Sequence, residues 1–74
     1  MTIEKLKISL SKFGYIQIIK EGIVFSLLIT GEGLAKSSTV NNIQMQVMEY
    51  AVEKYPFIEA MRNDDYFFCM ILKS

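Results

Sequence analysis

The stretch of this chain best placed to do chemistry is Thr30-Gly31-Glu32-Gly33-Leu34-Ala35-Lys36-Ser37-Ser38, which lies between an apolar run and a helical pattern. A phosphate-binding loop occupies such a place, with G-x-x-x-x-G-K-[ST] letting backbone N–H groups cradle phosphate oxygens. Lys36-Ser37 matches the end of that pattern. Thr30 stands where the first glycine belongs and Ala35 where the second does, and Glu32 sets a negative charge beside the supposed phosphate. The stretch therefore reads as a flexible connection into a capped helix. The N–H groups at that helix start favour an anion at most in passing.

Other chemistries fare no better. The chain has no histidine, the usual general base near neutral pH. No Ser-His-Asp or Cys-His arrangement can be assembled. Asn63-Asp64-Asp65 offers oxygens to a cation, but fewer than the six to eight that Ca²⁺ takes. These acids also read as a solvated hairpin turn. Cys69 is the only cysteine, so no intrachain disulfide forms and zinc lacks ligands. Inside "YFFCMIL" its thiol reads as a small buried hydrophobe. The sequence thus predicts no enzyme, no cofactor and no metal.

Composition sets the class. The chain has 74 residues, which is the length of one domain. Small domains bury the smallest fraction of their surface, and this one compensates with 51% hydrophobic residues. Basic and acidic residues number eight each, and Arg62 is the only arginine. Nucleic-acid modules carry a basic excess and several arginines, so this balance argues against them. The runs Ile23–Ile29 and Tyr66–Leu72 fall far short of the roughly 20 apolar residues of a membrane span. Glu21, at the head of the first apolar run, also argues against a signal-peptide reading of residues 1–35. With a free thiol, the expectation is a cytoplasmic protein.

The elements follow from a comparison of the two halves. "KFGYIQIIK" (12–20) lies over "KYPFIEAMR" (54–62), with the breakers Gly14 and Pro56 in register. "IVFSLLI" (23–29) lies over "YFFCMIL" (66–72), with Ser26 opposite Cys69. The single insertion then falls in a turn, Asn63-Asp64-Asp65 against Glu21-Gly22. Few of these pairs are identities, so chance stands beside duplication as an explanation. Each half, about 1–30 and 38–74, reads as helix–strand–strand.

In the first half Ile3, Leu6, Leu10 and Phe13 keep helical spacing, Thr2 caps the start, and Gly14 ends the helix in the left-handed conformation. The alternation of Leu6, Ile8 and Leu10 with Lys7, Ser9 and Ser11 supports a strand instead, and the repeat decides for helix. In the second half Ser38 or Thr39 caps a helix that runs to about Tyr55, where Pro56 stops it. Both turns carry the Gly or Asn that tight hairpins with positive φ use. The expected fold is α+β: two αββ pseudo-repeats forming a four-stranded antiparallel sheet with both helices on one face.

Strand alternation then assigns faces. Ile16, Ile18, Ile58 and Ala60 suit the space under helices. Tyr15, Gln17, Ile19, Phe57, Glu59 and Met61 fall on the other face. Both second strands are apolar on either parity, whereas a solvated face would alternate cleanly. An apolar surface of that kind marks an interaction site. The function expected is a small non-enzymatic protein-interaction module with these six residues as its partner or dimer interface. Closed twofold dimers are the commonest homo-oligomers, so self-association as a homodimer is the default. Tiny histidine-free chains of this type often come from phages or mobile elements. There they act as inhibitors that bind and occlude a host protein, such as a bacterial defence component. The alternative is a single-stranded nucleic-acid-binding protein that stacks bases on its sheet aromatics, with a modest positive bias from Lys5, Lys7 and Lys12.

Overall fold

The computed structural model describes residues 2–74. Helix α1 spans Ile3–Ser11 and begins where the Thr2 hydroxyl accepts a bond from the Lys5 N–H at 3.2 Å. Strands β1 (Tyr15–Glu21) and β2 (Val24–Thr30) follow. A short 3-10 turn at Glu32–Ala35 leads into α2 (Ser37–Ala51), then β3 (Phe57–Asp64) and β4 (Phe67–Lys73). The strands form one antiparallel sheet in the order β1-β2-β4-β3, so the fold is α+β. The two apolar strands pair in the middle, with Leu27 directly opposite Met70. Those are the residues that the alignment of the halves equates.

The core is one cluster. Leu6 and Leu10 of α1 and Val40, Ile43, Val47 and Ala51 of α2 meet Phe25, Leu27, Ile29, Phe68, Met70 and Leu72. The sheet residues are a single parity of β2 and β4, so the helices cover one face and leave the other open. Ser9 on α1 donates to Gln46 on α2, which ties the helices together. Among the described residues no charged side chain is buried and no buried side-chain polar atom lacks a partner.

Several local expectations are corrected. The stretch 31–38 is not a loose connection. Leu34 is buried and pins it to the core, and the N–H groups of Leu34 and Lys36 bond to the carbonyls of Gly31 and Gly33. Both amides are taken up by the 3-10 turn. Helix α2 starts after Lys36 with no side-chain cap, not after Ser38 or Thr39, and it ends at Ala51. Tyr55 instead closes the core, 3% exposed, with its ring 5.6 Å from that of Phe25.

Both hairpin turns are two residues long. Gly22-Ile23 has φ +55° at its first residue, the sign that a type II′ turn needs there. Asp65-Tyr66 closes the second hairpin with no positive φ. The extra residue of the second half therefore does not sit in the turn. It sits inside β3, where the pairing jumps from Ile58↔Leu72 to Ala60↔Ile71 and leaves Glu59 without a partner. This β-bulge shifts the parity of everything after it. Met61 pairs with Met70 and faces the helices, where the Gln44 side chain on α2 bonds its sulfur at 3.2 Å. Ala60 pairs with Ile71 and faces the open side. The face assigned to both from simple alternation was the wrong one.

Candidate functional site: the open face of the sheet

The register builds the open face in four rows. At one end Tyr15, Thr30, Phe67 and Asp64 run from β1 to β3. Next come Gln17, Leu28, Cys69 and Arg62, then Ile19, Ser26, Ile71 and Ala60. The last row is Glu21, Val24, Lys73 and Phe57. Alternation places these side chains on one side because directly paired residues share a face. Of the six interface candidates, Tyr15, Gln17, Ile19 and Phe57 lie here, Glu59 occupies the bulge, and Met61 lies on the other face.

The face is apolar in the middle and carries its charges along the margin. Leu28, Phe67 and Ile71 are half-buried, and they border a depression of about 210 Å³ with Gln17, Ile19, Ser26 and Cys69. Cys69 is therefore half-buried on this face, not enclosed in the core as its sequence context suggested. It lies on the open parity of β4, between the core residues Phe68 and Met70. Glu21, Asp64, Arg62 and Lys73 give two charges of each sign around the margin. Arg62 is paired with Asp64 at 3.2 Å, both exposed, and its guanidinium lies 5.8 Å from the centre of the Phe67 ring. An exposed pair of this kind contributes at most about 1 kcal/mol.

The two exposed aromatics among the interface candidates do not sit together. Tyr15 is 74% exposed and Phe57 65% exposed, and they occupy diagonal corners, while Tyr66, 66% exposed, lies in the turn before β4 at the end of the sheet that Tyr15 occupies. Three strand spacings and six residue rises separate Tyr15 from Phe57, about 25 Å in all. The alignment of the halves equated the two and strand alternation put them on one face, but neither showed them to be distant. The residues it passed over are Leu28, Phe67, Cys69 and Ile71. Their signal was the apolar character of both parities in the second strands.

Among the described residues no three His, Cys, Asp or Glu side chains gather to hold a metal. No described helix is long and apolar enough to cross a membrane. No protein-family model, curated protein or solved structure matches the chain.

Proposed function

We propose that this chain is a small non-enzymatic protein-interaction module, and that its open sheet face is the surface that meets a protein partner. The observation that carries this reading is the cluster of half-buried Leu28, Ile71 and Phe67 around an apolar depression on a face that none of its own elements covers. Aliphatic and aromatic side chains with a polar margin are the anatomy of an interface core. Truncation of such central anchors typically costs above about 1 kcal/mol each. The module acts by occupying and occluding its partner's surface, as an inhibitor of a host protein would.

Base stacking is less well supported. Tyr15 and Phe57 are too far apart to hold neighbouring bases of one short strand, and the only arginine is already paired with Asp64.

The test compares three immobilised proteins in extract from the native host: the unaltered chain, Ile71→Lys, and Ile8→Ser as a control on the exposed surface of α1. A partner retained by the first and third and lost by Ile71→Lys supports the face. Equal recovery by all three removes it. A salt-sensitive gain of single-stranded DNA by the unaltered chain would favour nucleic acid instead.

A further inference from the structure

The sheet has two edges, and only one of them is protected. In a two-residue hairpin the pair flanking the turn exchanges both its hydrogen bonds, and bonded and non-bonded pairs then alternate. Glu21↔Val24 flanks Gly22-Ile23, so Glu21, Ile19, Gln17 and Tyr15 bond inward to β2. The N–H and C=O groups of Ile16, Ile18 and Lys20 therefore point outward. The far side of β2 agrees: the Gly31 N–H bonds to the Tyr66 carbonyl, and the Ser74 N–H bonds to the Ile23 carbonyl, both at 2.9 Å. The same rule applied from Asp64↔Phe67 turns Asn63, Met61 and Ile58 outward on β3. The bulge makes the step from Ile58 to Met61 three residues, so that outward row is broken. Bulges and charges are the usual protection of an edge. β3 carries its bulge together with Glu59, Arg62 and Asp64. β1 has seven pairs with no irregularity and no charge before Lys20.

We infer that the intact β1 edge is a self-association site, at which β1 pairs antiparallel with β1 of a second copy about a twofold axis through Ile18. This goes beyond the open-face reading and stands without it. The twofold keeps each copy's open face on the same side, so paired residues must share parity. Only one register then matches all three outward residues with one another: Ile18 with Ile18, Ile16 with Lys20, and Lys20 with Ile16. At two bonds per pair, that closes about six hydrogen bonds. On the open side it sets Tyr15 beside Glu21 of the other copy and Gln17 beside Ile19. No like charges oppose each other. Lys20 is already turned back over its own Tyr50, with Nζ 5.9 Å from the ring centre. A second copy is the occupant because this edge is complementary to itself over its whole length. The four-stranded sheet becomes eight-stranded and its open face doubles in width. An interface of one strand pair is small, so the dimer is weak, with dissociation on the order of micromolar or above.

The test is sedimentation equilibrium over a wide concentration range on the full chain and its variants. Ile18→Pro removes an outward N–H and no internal bond, and edge strands tolerate proline in that orientation. Phe57→Ser alters the open face at the corner farthest from β1. The expected result is a mass rising from one chain to two for the unaltered protein and for Phe57→Ser, and one chain throughout for Ile18→Pro. A single chain at every concentration for the unaltered protein overturns the inference. So does a dimer that survives Ile18→Pro and is lost in Phe57→Ser, which would place the second copy on the open face. If Ile18→Pro fails to fold, the exposed Tyr15 decides. Tyr15→Lys meets Glu21 of the other copy and tightens the dimer, while Tyr15→Glu repels it and weakens the dimer about ten-fold. Equal dissociation constants for the two overturn the inference.

Discussion

A Cβ at residue 14 would collide with the backbone carbonyl of Thr30, and one at residue 31 would come within 2.5 Å of the Phe13 carbonyl. Gly14 and Gly31 thus let the end of α1 cross the end of β2 with backbone against backbone. Gly14 also has φ +153°, which L side chains rarely adopt. Gly14→Ala therefore combines overpacking with backbone strain, and it should cost about 2–4 kcal/mol in urea unfolding. Gly22→Ala meets nothing within 4 Å and is penalised only for its φ of +55°, so a loss of about 1 kcal/mol is expected. Equal losses would show that the crossing is not what demands glycine. That a breaker ends α1 at residue 14 was legible in the sequence. The left-handed cap inferred for it was not correct, because the constraint comes from a strand that arrives some sixteen residues later and leaves no local pattern.

At the level of elements, helix–strand–strand order follows from periodicity and turn residues, whereas which strands meet in the middle of the sheet was left open by the sequence and is fixed by the pairing of β2 with β4. Nor does the bulge follow from the sequence. One extra residue in the second half gives the same alignment whether it sits in the turn or in the strand, and only the pairing distinguishes them. The consequence is specific, because it exchanged the faces of Ala60 and Met61. Deleting Glu59 makes a direct test of the bulge as edge protection. Residues before and after it keep their partners on β4, since Ile58↔Leu72 and Ala60↔Ile71 become adjacent regular pairs. The deletion variant should fold with its thermal midpoint within a few degrees of the parent's, because the core holds no residue of β3. It should also gain higher-order association in light scattering, since Ile58, Met61 and Asn63 would then form an unbroken outward row. A deletion variant that stays no larger than the parent would show that the bulge does not guard the edge.

For the whole molecule, size and exposure fit a compact particle with no hidden slack. The radius of gyration is 11.3 Å, against about 11 Å for a compact chain of this length. The accessible surface is 4757 Å², against roughly 4,700 Å² for a folded monomer of this mass. The chain is thus as compact as a folded monomer of its mass, and edge pairing would add a second copy to that fold. That makes amide hydrogen exchange a measure of both levels. At high dilution the slowest amides should be those of Phe25, Leu27, Ile29, Phe68, Met70 and Leu72. They bond between β2 and β4, and their side chains lie in the core. On β1, Gln17 and Ile19 bond inward and should be protected at every concentration. Ile16, Ile18 and Lys20 should exchange fast when dilute and slow together as concentration rises, because their partners belong to another molecule. Ile58, Met61 and Asn63 on the bulged edge should stay fast throughout. A β1 whose odd and even residues slow equally with concentration would point to general stabilisation of the strand and would exclude the edge pairing.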